Sequence, residues 1–253
     1  MHYRDLVSVK LWFNLKSEAN KTYLGYLWWL LEPILHVAVF FLVFEKLLQR
    51  GGENFLIFLL CGNIPYLWFS KTVSNASNSV LNGRGLITQV PIAKVFFPMM
   101  VVLTDLVKQM FVFIFFFLFL ILYGQAAQST WIYVPAIILV ELLVIVAFAM
   151  LSAAITPFVP DLRHIIPTGL MLVMFGSGIF YSYKDVVSAE YQSWFMMNPM
   201  ANLIENFRRV IIDGIPPDWF SLAIIALVSG LVIGLMLMLF QRLDTTYAKL
   251  VVQ

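Results

Sequence analysis

The sequence predicts an all-α integral membrane protein with six membrane-spanning helices, on three observations. Hydrophobic residues fill 61% of the 253 positions and charged residues only 12%. A soluble domain averages about 45–50% and about 25%, so one core cannot hide this much apolar surface, and mean hydropathy is +0.88. Six apolar runs, 26–46, 55–74, 98–123, 131–158, 166–183 and 219–241, approach the about 20 residues that cross roughly 30 Å of hydrocarbon. They are long and uniformly apolar, unlike the roughly ten-residue alternating strands of a membrane barrel. A net charge of +2 gives no indication of nucleic-acid binding. The single Cys61 reads as a small core-filling residue and excludes an intramolecular disulfide.

Residues 1–25 are mixed polar and carry no cleavable leader pattern. Within them Val7, Val9, Leu11, Phe13 and Leu15 alternate, a period that by itself suggests a strand. The first span, "LGYLWWLLEPILHVAVFFLVF", holds Glu32, Pro33 and His36 near its start, after Trp28 and Trp29. Pro33 removes a backbone bond and lets the helix bend there. "CGNIP" interrupts the second span and "GSG" the fifth. Asp105 and Lys108 on the third span are i, i+3 neighbours expected to neutralise each other. Glu141 lies about ten residues into the fourth, or about 15 Å at 1.5 Å per residue, near the bilayer centre. Gly230 and Gly234 form a G-x-x-x-G pair on the sixth, a pattern of close helix packing.

Two connections carry information. The loop "SNASNSVLNGRGLITQVPIAKVFFP", bounded by Pro91 and Pro98, is too polar to span and suits contact with a soluble partner. Between the fifth and sixth spans, "NPMANLIENFRRVIIDGIPPDW" reads as a punctuated helix with Asn198 as cap, Pro199 at its first position and Gly214 past its end. Met200, Leu203, Ile204, Phe207, Val210 and Ile211 form one apolar face. Glu205 stands in register to pair with Arg208 or Arg209. About 13 residues cannot span, so this helix is expected to lie in, or dip into, the outer leaflet.

Lys and Arg counts set the orientation. With the N-terminus inside, Arg4, Lys10, Lys16, Lys21, Lys71, Arg84, Lys94, Arg163, Arg242 and Lys249 face the cytoplasm. On the outer side Lys46, Arg50, Lys184, Arg208 and Arg209 are outnumbered by acids that include Glu45, Glu53 and Asp185. Both termini are then cytoplasmic.

The chain has no G-x-x-x-x-G-K-[ST] phosphate loop and no His/Cys/carboxylate cluster with metal-ligand spacing. No catalytic residue and no metal site is indicated. Ionisable groups inside spans are functional suspects, since a carboxylate at mid-membrane costs about 2.5–3.5 kcal/mol on insertion scales. They can line a hydrated conduit, relay protons, or pair structurally within the bundle. Aromatics, 16% of the chain, form an interfacial belt or turn inward, where flat rings suit the C–H faces of sugars.

The segments "LGYLWWLLEPIL", "LITQVPIAKVFFP", "NPMANLIENFRRVIIDG" and "FQRLDTTYAKLV", in this order behind a polar N-terminus, resemble the membrane subunit of type 2 ABC exporters. The similarity is to the branch that exports O-antigen, capsular polysaccharide or teichoic acid, and it covers nearly the whole chain. One departure is "PDLRH" between the fourth and fifth spans, where family members often carry an Arg-Asp pair. The resemblance implies one transmembrane domain over 1–253, with residues 1–25 as a helix at the cytoplasmic interface. It implies a coupling region at 79–96, where Arg84, Leu86, Ile87 and Lys94 meet an ABC ATPase present in two copies. It implies a re-entrant outer region at 184–215 that includes Asn198, Pro199, Glu205, Arg208 and Arg209. ATP and Mg belong to the separate ATPase, so this chain is neither an enzyme nor a cofactor binder. A homodimer in the bacterial inner membrane encloses the conduit for a polyprenyl-linked glycan, with Trp28, Trp29, Glu32, His36, Glu141, Tyr181 and Tyr183 as candidate lining residues. The alternatives are a type 2 exporter of a small lipid, haem or drug, and an ion-coupled secondary transporter using Glu141. Secondary transporters often carry internal repeats, and none is visible here.

Overall fold

The computed structural model describes residues 3–47, 54–90 and 92–252. Pro91, with Arg50 and Glu53 of the charge count, lies outside the described residues, as does the side chain of Arg4. The described residues are helical and contain no strand: α1 (Tyr3–Asn20), α2 (Trp28–Phe41), α3 (Phe55–Ser77), α4 (Ser79–Asn82), α5 (Arg84–Ile87), α6 (Phe96–Leu122), α7 (Val134–Ile155), α8 (Leu162–Phe175), α9 (Tyr183–Val186), α10 (Ala189–Phe195), α11 (Pro199–Ile211), α12 (Trp219–Arg242) and α13 (Asp244–Val252). The protein is an all-α integral membrane protein.

Among the described residues five helical stretches are long and apolar enough to cross a membrane: Gly25–Leu47, Phe55–Ser77, Phe96–Leu122, Ser129–Ile155 and Trp219–Arg242. The fifth predicted span, 166–183, is corrected in its bounds, since the apolar helix there is the shorter α8, Leu162–Phe175. Its helix, α8, has 14 residues, about 21 Å at 1.5 Å per residue, and stops at Gly176. Gly178 takes φ +70°, a left-handed conformation that glycine adopts without strain. The following Ile179 and Phe180 then turn back into the core, 0% and 6% exposed.

The strand-like alternation of residues 7–15 is overridden, because α1 is one continuous helix. Tertiary contacts fix it there: Leu6, Val7 and Leu11 pack on a buried cluster, Asn14 Nδ2 donates to Thr104 Oγ1 at 3.4 Å, and Glu18 holds Lys108. Trp12 and Phe13 stay exposed.

The segment "CGNIP" does not break α3, the central helix, which packs on α7, α6, α11, α8 and α2. Its small residues serve close approach instead. A Cβ at Gly62 would stand 3.0 Å from Arg208 Nη2 and 3.3 Å from Ile179 Cα. Tyr66 OH donates to the Leu170 carbonyl of α8.

Two apolar clusters result. The larger joins α3, α6, α7 and α11 around Ile57, Leu59, Phe113, Ile137, Leu203 and Phe207. The smaller gathers Val80, Phe96, Met150, Ala154, Phe240 and Tyr247 where the 79–96 loop, α1 and α13 meet. The predicted apolar face of α11 is buried, but so are Asn202, Asn206 and Arg208, so α11 is enclosed against α3 and α7. Among the described residues, apart from the chain neighbours and the helix's own backbone, nothing comes within 4 Å of a Cβ built at Gly230 or Gly234, so the close packing expected of that pair is not made within this chain.

Gly62→Leu is expected to destabilise the protein by about 1–3 kcal/mol through overpacking, while Gly230→Leu leaves stability unchanged. Thermal unfolding of the two purified variants measures the contrast.

Candidate functional site

Near the first turns of α2, charged side chains from four helices converge. Glu32 of α2 pairs with Lys71 of α3, both about half exposed. Lys108 of α6 binds Asp105 at 2.6 Å and Glu18 of α1 at 2.8 Å, and Asn75 of α3 donates to Asp105 at 3.2 Å. The predicted Asp105–Lys108 pair is thus one part of a larger network. Its sum is one negative charge, three carboxylates against two ammonium groups. Glu32, Lys71, Asp105 and Lys108 line a small pocket of about 50 Å³. Three further residues on its wall, Trp68, Thr72 and Gln109, each hold a buried polar atom without a hydrogen-bond partner among the described residues. Such atoms carry a desolvation penalty of about 1–3 kcal/mol each. Beside the pocket an apolar groove of about 480 Å³ runs between α2 and α6, past Leu30, Ile34, Phe41, Phe115 and Phe119.

One turn beyond Glu32, His36 Nδ1 meets Asn63 Oδ1 of α3 at 3.0 Å. A line of rings continues from it: His36 to Phe40 at 4.9 Å, Phe40 to Phe180 at 4.3 Å and Phe44 to Phe180 at 5.2 Å. Beyond Phe180, Tyr181 donates its hydroxyl to the Phe175 carbonyl at 2.9 Å, and the Tyr183 ring stacks on Phe195 at 5.7 Å. Trp29 stands against Tyr26 and Phe111, and Trp28 is exposed. The structure therefore places Trp29 and Glu32 on one pocket wall and His36 in a ring line that ends on Phe180, while Tyr181 and Tyr183 lie apart against Phe195.

Glu141 lies apart. It is fully buried on α7, and neither carboxylate oxygen has a hydrogen-bond partner among the described residues. It lines neither the pocket nor the groove.

The outer helix differs from expectation in its charges. Glu205 pairs with Lys184 at 2.9 Å rather than with either arginine, and this bond raises the Lys184 ammonium above its ordinary pKa. Arg208 reaches inward instead. It donates to the carbonyls of Gly178 at 2.8 Å and Ile179 at 2.9 Å, and sits 3.4 Å over the Phe58 ring. Arg209 caps the Pro216 carbonyl at 3.2 Å. Asn198 accepts from Met200 N as the predicted cap, with Pro199 opening α11, and its amide also donates to Ser177 Oγ at 3.0 Å. These residues hold the broken end of α8 in place.

In the 79–96 loop, Arg84 is exposed, while Leu86 and Ile87 are partly buried against the smaller cluster. Lys94 is only 7% exposed and is bound by Asp244, so it does not present its charge to a partner. Sequence reasoning missed Lys71 and Glu18 as members of the polar network and Asp244 as the partner of Lys94. Antiparallel spans supply the clue for Lys71, since the start of one span and the end of the next lie at the same depth.

The model of the ABC-2 type transporter family matches residues 6–212. The chain is 27% identical over 250 residues to the O-antigen export system permease protein RfbA of Myxococcus xanthus, covering 98% of this chain and 95% of that protein. It is 22% identical to the Klebsiella pneumoniae protein of that name, over 97% and 95%. Against the polysialic acid transport protein KpsM of Escherichia coli it is 23% identical, over 88% of each.

Lys108→Met leaves two carboxylates without their cation, and is expected to cost about 3 kcal/mol, as breaking a buried pair does. Lys71→Met at the half-exposed pair costs less than about 1 kcal/mol. Comparative thermal unfolding distinguishes the two.

Proposed function

We propose that this chain, which belongs to the ABC-2 type transporter family, is the membrane-spanning subunit of an ATP-driven exporter of a lipid-linked polysaccharide. The observation that carries the reading is similarity over most of the chain to proteins named for O-antigen export and for polysialic acid transport. ATP and Mg belong to a separate ATPase, in keeping with the lack of a phosphate-cradling loop on this chain. Two copies of the chain enclose the conduit in the bacterial inner membrane, with both termini cytoplasmic and the 79–96 loop toward the ATPase.

The geometry fits a hydroxyl-rich cargo. The polar network near the start of α2 carries one excess negative charge, which suits sugar hydroxyls better than phosphate. Exposed aromatic residues at the start of α2, Tyr26 and Trp28, offer flat, weak surfaces to sugar C–H faces. A second reading, an ion-coupled transporter using Glu141, requires a hydrogen-bonded path to that carboxylate. Among the described residues neither of its oxygens has a hydrogen-bond partner, so no such path is seen.

The discriminating experiment reconstitutes the protein with its ATPase and follows glycan transfer. Glu141→Gln is expected to retain export, and an imposed pH gradient without ATP is expected to drive none. Gradient-driven transport that Glu141→Gln abolishes sinks the exporter reading, because a proton relay needs a titrating group. Topology is tested in a Cys61→Ser background. Of Asn20→Cys, Thr88→Cys, Ser188→Cys and Lys249→Cys, only Ser188→Cys is expected to label from outside, and outside labelling of Thr88→Cys overturns the orientation.

A further inference from the structure

The C-terminal helix is held by two contacts that nothing in the transport reading uses. Asp244, the first residue of α13, takes Lys94 with both oxygens. Oδ1 accepts from the Lys94 backbone N–H at 3.1 Å, and Oδ2 binds Nζ at 2.8 Å. The grip therefore fixes the backbone of the loop as well as neutralising a buried charge, across 150 positions of sequence. A carboxylate is also favoured at a helix N-terminus, where backbone N–H groups lack partners.

One turn on, Tyr247 is 0% exposed, and its hydroxyl donates to the Ala154 carbonyl at 3.0 Å. Ala154 lies in the last turn of α7, where carbonyls have no intrahelical donor, so Tyr247 caps that helix from outside. Its ring stacks on Phe240 at 5.2 Å and meets Phe158 edge-on at 5.4 Å. With nine residues, α13 is too short to be stable alone. Its position depends on these two ends, one on the loop and one on α7.

We propose that α13 is a strut that carries movement of the 79–96 loop into α7, with Asp244 and Tyr247 as its positioning residues. The proposal rests on the reading of that loop as the ATPase contact. A load on the loop reaches α7 directly through Lys94, Asp244, one helical turn and Tyr247. From α7 it passes to α3 and α12, the two helices packed most extensively on it.

The test uses the full chain with its ATPase in membranes and measures three quantities: co-purification of the ATPase, ATP hydrolysis, and glycan exported per ATP. Asp244→Ala removes the grip, and Tyr247→Phe removes only the hydroxyl. Both are expected to keep the ATPase bound and hydrolysing. Export per ATP is expected to fall about tenfold, within the range of coupling between distant sites. Asp244→Asn, which retains an acceptor for the Lys94 N–H, is expected to fall between them and the unaltered protein. Unchanged export per ATP in Tyr247→Phe overturns the strut, including when Asp244→Ala fails to fold. Loss of ATPase binding in either variant also overturns it and makes α13 part of the docking surface. Arg84→Glu separates the underlying reading. If Arg84→Glu assembles and exports normally, the loop is not the contact and the strut falls with it. If Arg84→Glu loses the ATPase while Asp244→Ala exports normally, only the strut falls.

Discussion

A charged group inside hydrocarbon must find its partner within the protein, because no water is there to supply one. Much of this architecture follows from how that demand is met. Lys108 sits on the third span, yet it is held by a carboxylate of its own helix and by Glu18 of the N-terminal helix. An 18-residue segment with little amphipathic character of its own is thereby fastened to the bundle. Arg208 meets the same demand with backbone. Where α8 ends early, the carbonyls of Gly178 and Ile179 lose their helical donors, and the guanidinium supplies them. Removing the cation would leave both carbonyls without their donor.

These solutions are local, and they divide the molecule into two working ends. At one end α11 is buried among α3, α7 and the returning chain at 179–183, with its arginines turned to carbonyls and its glutamate to Lys184. At the other, the 79–96 loop, α1 and α13 share a second apolar cluster. The helix α2 runs between these ends along a comparatively exposed course, carrying the polar network at its start and the ring line further on.

Glu141 stands outside this scheme. It is fully enclosed, and among the described residues neither of its oxygens has a hydrogen-bond partner. Lys94, by contrast, was legible in the sequence only as a loop cation. It is a structural ion pair whose partner lies at the opposite end of the chain.

Composition and run length by themselves determined the membrane class, five of the spans closely, and the cap, start and apolar face of α11, because each depends on neighbours within a few residues. Periodicity failed at residues 7–15, where alternation suggested a strand and the contacts of Leu6, Val7, Asn14 and Glu18 selected a helix. Glycine-rich interruptions were equally ambiguous before folding. "CGNIP" continues as helix, since Gly62 leaves room for Arg208 and Ile179, whereas "GSG" ends one, since Gly178 adopts positive φ. Ion-pair partners were decided by tertiary structure wherever they lie far apart in sequence. Glu32 with Lys71, Glu18 with Lys108 and Lys94 with Asp244 are separated by 39, 90 and 150 residues. A charge in sequence announces that it needs a partner, but only the packing of helices decides which one comes within reach.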